Sequence, residues 1–170
     1  CYTNYCIAVN CTDGRYPNPY LSGVGVVQKF IEAYNQTYID CDPDLEEYFL
    51  DLVSLGLIAD SMDMTSLENR YYALEGMKER NCHNEFLNEL VKRKEEDMKY
   101  GRYITSMGWQ IAPLINGCIR YGKPDEQSDT FKAMLGMKED RVYQPRRKSK
   151  DDPKPPEEIH SLQKYMARVC

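Results

Sequence analysis

DLVSLGLIADSMDMTSLENR, residues 51–70, opens as an almost unbroken apolar run and meets a single acid at Asp60. Upstream, Leu45, Tyr48, Phe49, Leu52 and Ala59 recur at helical spacing and predict one buried stripe. Asp42-Pro43 supplies a cap and a first-turn proline, so a helix is expected to begin there. Thr65-Ser66-Leu67-Glu68 has the form of a capping box and predicts the start of the next helix. Asp60 then falls at the end of a buried helix, in a short connection between two specified elements. A carboxylate at the lip of an apolar element is costly unless it is hydrogen-bonded or bound to a cation. Two readings follow: a turn aspartate bonded to nearby backbone, or a metal ligand on a rigid support.

The chain has 170 residues, 29% charged and 42% hydrophobic, with a net charge of -5. That balance suits a globular domain or part of one, and argues against a broadly basic nucleic-acid-coating protein. It leaves room for a local basic groove or a metal-bridged phosphate site. No apolar run reaches the roughly 18 residues of a membrane helix. The first residues, CYTNYC, lack the basic region and apolar core of a signal peptide. The seven cysteines form no CxxC pair, so a free-thiol, cytoplasmic protein is expected.

Along the chain, Cys6-Ile7-Ala8-Val9 is a short strand candidate, and Pro17-Asn18-Pro19 marks a loop. A helix is expected from about Val24, capped by Ser22, with Val26, Val27, Phe30, Ile31 and Tyr34 as its buried face. Gly23-Val24-Gly25 is too short for a dinucleotide fingerprint and reads as a place for close helix packing. Helices are predicted over 66–79 and 85–100. His83 and His160, the only histidines, read as a surface or capping residue and as part of a late polar segment. In Met107–Gly122, Pro113 is expected to break any long helix, and Asn116-Gly117 permits a tight backbone. Arg120 projects from an otherwise apolar stretch, where it pairs either with a carboxylate or with a phosphate. Residues 141–154 carry six basic and two acidic residues. They read as an extended surface loop or as an electrostatic contact to DNA phosphates. A last helix is expected from Pro155-Pro156-Glu157-Glu158 to the end.

Three collinear stretches resemble the RecJ-type single-strand-DNA-specific exonucleases of the DHH phosphoesterase superfamily, most closely phage-type members. Val9-Asn10, the Tyr16-Pro17 loop and Leu21-Ser22-Gly23-Val24-Gly25-Val26 resemble a stretch that follows the family's D-H-H motif. Residues 51–60 with Glu68-Asn69-Arg70 are similar to its fourth motif, D-L-V-A-L-G-T-V-A-D, then N-R; Leu57 stands where threonine is frequent. I-A-P-L-I-N-G-C-I-R-Y-G, residues 111–122, resembles the segment leading out of the catalytic domain; Leu114 replaces the arginine of the P-R-I-N form. No D-H-H and no upstream D-x-D occurs.

The resemblance implies an α/β family fold, of which the part present is mainly α-helical with a short strand near the N-terminus. It implies that 1–122 is the later part of a DHH catalytic domain. Residues 123–170 would be the connecting region and the start of a linker helix toward a DHH-associated domain. The parent activity implied is 5′-3′ hydrolysis of single-stranded DNA with Mn²⁺ or Mg²⁺, in the context of DNA repair and recombination. Asp60 would be a catalytic metal ligand, Arg120 a phosphate contact, and Asn116 an orienting or structural residue. The partners implied are single-stranded DNA and the remainder of the catalytic domain, with no membrane. One carboxylate cannot build a two-metal site, so the 170 residues alone are expected to be inactive. A DHH phosphodiesterase of oligonucleotides or cyclic dinucleotides, and a non-catalytic binding or scaffold relative, are the alternatives.

Overall fold

Helices separated by short turns make up most of the described residues. The computed structural model describes residues 9, 11–12, 14–39, 42–96, 98, 103–143 and 156–170. Its helices are α1 (Gly23–Tyr38), α2 (Pro43–Glu47), α3 (Leu50–Ala59), α4 (Leu67–Glu75), α5 (Glu85–Arg93), α6 (Ile104–Ser106), α7 (Ala112–Tyr121), α8 (Pro124–Met134) and α9 (Leu162–Val169). A 3-10 turn covers Glu79–Asn81, and a π-helical turn, Met107–Ile111, leads into α7. The strands β1 (Arg141–Tyr143) and β2 (Glu157–Ile159) pair antiparallel, with Val142 opposite Glu158.

These strands lie near the C-terminus rather than the N-terminus. Of the strand expected at Cys6–Val9, only Val9 falls within the described residues. Glu157 and Glu158, expected to start the last helix, belong to β2. Helix α9 starts after Ser161, whose hydroxyl accepts from the Lys164 N–H. Most of the basic segment 141–154 lies outside the described residues.

The chain divides into two compact units, one of residues 1–83 with 102–108 and the other of residues 84–101 with 109–170. In the first, α3 packs between α1 and α4. Leu50, Val53 and Leu57 of α3 join Leu21, Tyr72 and Cys11 in its core. Because α3 is apolar nearly all round, it is buried on most sides. Gly56 permits the approach of α1: a Cβ there would lie 2.3 Å from a Val24 methyl. The Ser54 hydroxyl donates to the Ala73 carbonyl at 2.8 Å and ties α3 to α4.

The helix predicted to run from Asp42 to Asp60 is interrupted. Asp42 caps α2 as expected, accepting from the Asp44 N–H at 3.0 Å. A turn at Tyr48-Phe49 then separates α2 from α3, so Tyr48 is exposed and the buried stripe passes to Leu50, Val53 and Leu57. The face of α1 is only partly as predicted, with Val26 packed against the core. Ser22 caps it, but Val27, Phe30 and Tyr34 are exposed, while Gln28 and Asn35 are buried. Hydrogen bonding decides this orientation. Gln28 Nε2 donates to Glu46 O at 2.8 Å. Asn35 exchanges bonds with the Asp42 backbone, at 2.8 and 2.9 Å.

In the second unit, α9 packs on α5 and α8. Phe86, Leu87, Leu90, Leu162 and Met166 form its fully buried centre. Asn84 caps α5 through the Leu87 N–H and donates to the Met134 carbonyl at the end of α8. Arg141 clasps Asp129 through two hydrogen bonds of 3.0 and 3.1 Å, holding β1 to α8. That grip is the main cause holding the Asp129 carboxyl below its ordinary range. Asn116-Gly117 lies inside α7. Pro113 sits in the first turn of α7, directly after the π-helical turn.

Candidate functional site

Asp60 ends α3. Its N–H closes the helix on Gly56 O at 3.0 Å, and the next two amides complete a Schellman turn. Ser61 N donates to Ile58 O at 3.1 Å and Met62 N to Leu57 O at 3.0 Å. This closure holds Ser61 at φ 53°, in the left-handed region. Among the described residues it is the one non-glycine there, and it directly follows Asp60. The Asp60 carboxylate is exposed and takes part in no hydrogen bond or ion pair among the described residues.

The turn is anchored from below by Asn69 of α4, which is 0% exposed. Its Nδ2 donates to Asp63 O at 2.9 Å and to Tyr20 O at 2.8 Å. Its Oδ1 accepts from Asn18 at 3.0 Å. Asp63 in turn accepts from the Thr65 N–H at 2.8 Å, which holds its carboxyl below the usual value.

Beside Asn69 lies a closed charged network. Glu68 accepts from Tyr16 OH at 2.6 Å and from Asn18 Nδ2 at 2.9 Å, with the Lys29 ammonium at 3.4 Å. Lys29 also pairs with Glu32 and donates to Tyr72 OH at 3.2 Å. Tyr72 OH donates to Glu32 at 2.5 Å. Burial pushes the Glu68 carboxyl up, but the bonds from Tyr16 and Asn18 and the Lys29 charge pull it below its ordinary value. Burial works to lower the Lys29 pKa, and its bonds to Glu32 and Tyr72 outweigh that and raise it. The predicted capping box is therefore not used. Ser66, at the N-cap, makes no side-chain cap, and the Glu68 carboxylate instead accepts from Tyr16 and Asn18, some fifty residues away in sequence. An apolar cavity of about 220 Å³, lined by Leu21, Val26, Phe30 and Ala33, adjoins the Lys29 side chain.

In the second unit, α7 carries Asn116, half-buried, and Arg120, exposed, one turn apart on the same face. Arg120 has no carboxylate partner among the described residues, so the salt bridge that its apolar surroundings suggested is not formed there. Trp109, in the π-helical turn, and Tyr121 are also exposed, at 77% and 88%. Neither histidine is placed as a ligand. His83 stacks on Tyr48, with ring centroids 5.2 Å apart, and His160 faces Asp140 at 3.3 Å. Among the described residues no group of three His, Cys, Asp or Glu is arranged to hold a metal. Asp60 fits a divalent cation as a single oxygen donor, and a complete site needs donors beyond the described ones.

Over 138 residues, 81% of the chain, 36% of positions are identical to a provisionally named SPbeta prophage-derived single-strand DNA-specific exonuclease, YorK, of Bacillus subtilis (strain 168). The chain is similar to a phage single-strand DNA-specific exonuclease. The counterpart in Bacillus phage SPbeta, named in the same provisional way, matches with the same identity and span. The chain spans about a quarter of the length of these relatives, the match covering 23% of each. No protein-family model and no solved structure matches the chain.

Sequence reasoning placed Asp60 at a helix end, and it lies there. It missed the half-buried pair Lys29 and Glu68 and the buried Asn69 beside them. The available signal was the polar pair Glu68-Asn69 in the first turn of a helix, between an exposed Leu67 and an exposed Arg70. No helix among the described residues is long and apolar enough to cross a membrane.

Proposed function

We propose that this chain is the later part of a DHH-type catalytic domain, in a longer enzyme that hydrolyses single-stranded DNA from the 5′ end. Residues 1–122 close that domain, and residues 123–170 begin the connection to a DHH-associated domain. The likeness to a phage single-strand DNA-specific exonuclease over most of the chain carries the reading. Two further observations support it. Asp60 stands unpaired among the described residues on a turn fixed by backbone bonds, and Arg120 is exposed without an ion-pair partner among them.

In this reading Asp60 contributes one carboxylate to the metal site, and other parts of the longer protein contribute the rest. Mn²⁺ or Mg²⁺, when bound, supplies a Lewis acid for the phosphate oxygens and activates the attacking water. The α3 helix and the Schellman turn fix the backbone that carries the Asp60 carboxylate. The Arg120 guanidinium binds a backbone phosphate of the substrate, and Asn116, one turn earlier on α7, orients that segment.

The test is Asp60→Asn in the longer protein. Loss of Mn²⁺-dependent exonuclease activity with an unchanged thermal midpoint is expected. Near-normal turnover removes Asp60 from the site. The 170-residue chain by itself is expected to be inactive, and Mn²⁺-dependent nuclease activity of that purified piece would overturn its assignment as part of a site.

A further inference from the structure

We infer that Asn69 is the positioning residue for Asp60, acting through the backbone of the turn between α3 and α4. The inference rests on Asp60 being a metal ligand, as proposed above. The end of α3 fixes this turn as far as Met62, through the Schellman bonds. Beyond Met62 the segment leaves α3, and the Asp63 carbonyl turns inward. Asn69 Nδ2 receives it at 2.9 Å and uses its second N–H on Tyr20 O at 2.8 Å. The amide itself cannot rotate freely, because Asn18 Nδ2 donates to its oxygen at 3.0 Å. Asn18 is held in turn by accepting from the Tyr20 N–H at 3.1 Å and donating to Glu68 at 2.9 Å.

Both donors and the acceptor of a fully buried side chain are thus committed to one geometry. Loss of the amide group leaves two carbonyls without their donor, a substantial penalty in a water-excluded site. The strained Ser61 adds to the argument. A left-handed serine reverts to an ordinary conformation once its surroundings stop enforcing it. Asn69 is the clamp on the far side of that residue. A ligand carboxylate on a loosened turn samples more orientations, and its contribution to cation affinity falls.

The experiment uses the longer protein and titrates Mn²⁺ alone, with heat as the readout, alongside thermal midpoints. Asn69→Asp keeps the size and removes the Nδ2 donors. Ser54→Ala removes a different α3–α4 bond, to Ala73 O, and serves as a control that weakens the same helix contact and leaves the turn's anchor in place. Asn69→Asp is expected to weaken Mn²⁺ binding about 5- to 10-fold, toward the low end of the effect of groups that orient metal ligands. Ser54→Ala is expected to leave Mn²⁺ binding unchanged. Unchanged Mn²⁺ affinity in Asn69→Asp, together with a loss in Asp60→Asn, overturns the positioning role and spares Asp60. Unchanged affinity in Asp60→Asn overturns the reading beneath it. Should Asn69→Asp not fold, Asn18→Ser takes its place: it frees the Asn69 oxygen, with a smaller weakening of Mn²⁺ binding expected and unchanged affinity overturning the positioning role.

Discussion

The Gly76 Cα lies against the carbonyl of Leu50, so that an added Cβ would sit 2.0 Å from its oxygen. The end of α4 therefore meets the start of α3 backbone to backbone. Gly76→Ala should destabilise the first unit by about 1–3 kcal/mol or more, because a carbonyl in a helix cannot yield as a side chain can. Gly117, inside α7, has open space where a Cβ would go. Gly117→Ala should raise stability by roughly 0.5–1 kcal/mol. Chemical denaturation of both variants tests the contrast, and equal effects would contradict the geometry.

Relief of the left-handed backbone at Ser61 is a separate matter. Ser61→Gly should stabilise the fold by up to about 1 kcal/mol, since glycine carries no Cβ penalty at that φ. A fall in the thermal midpoint would show that the serine side chain contributes more than its strain removes.

Acid should loosen the first unit through Glu68. Its native pKa lies below the ordinary value, so the fold favours the deprotonated form. The stability this supplies is complete above the unfolded value of about 4.3 and drains away as pH falls through the lower native one. Lys29 is shifted upward. Its contribution is complete below the unfolded value of about 10.4 and is lost only as pH rises beyond it. Glu68→Gln should be less stable at pH 7 and should show a flatter stability–pH curve below about pH 5. An unchanged acid limb would remove Glu68 as its source.

Arg120 is the candidate phosphate contact. In the longer protein, Arg120→Ala should weaken single-stranded DNA binding and reduce the slope of log affinity against log salt by about 0.7, the loss of one phosphate contact. The thermal midpoint should stay constant, because Arg120 is exposed and has no ion pair among the described residues. An unaltered salt slope would place Arg120 outside the DNA path.

What the sequence made legible was local. Ser22 and Asp42 act within three residues of themselves, and both caps form as read. The end of α3 at Asp60 followed from an apolar run meeting polar residues. What failed depended on distant partners. Glu68 has the spacing of a capping-box acid, yet Tyr16, Asn18 and Lys29 claim it. Gln28 and Asn35 look like solvent-facing residues of an amphipathic helix, yet their amides satisfy backbone carbonyls near α2 and so turn Phe30 and Tyr34 outward. Asn69 stands in a recognisable sequence motif, but only the fold shows that it grips the Asp63 carbonyl. The site residues split the same way. Arg120 and Asn116 share a face of α7 by their four-residue spacing, whereas the donors that would complete a metal site with Asp60 are not in the described part of the chain.

Trp109 gives the molecule a built-in optical reporter. It is the single tryptophan beside fourteen tyrosines, and it stands 77% exposed in the turn that enters α7. Its indole already sees water in the folded state, so its emission colour should change little on unfolding and would understate denaturation. The same exposure makes it sensitive to whatever comes to rest on α7: quenching by a stacked base or a blue shift under a protein surface would each be read from one residue.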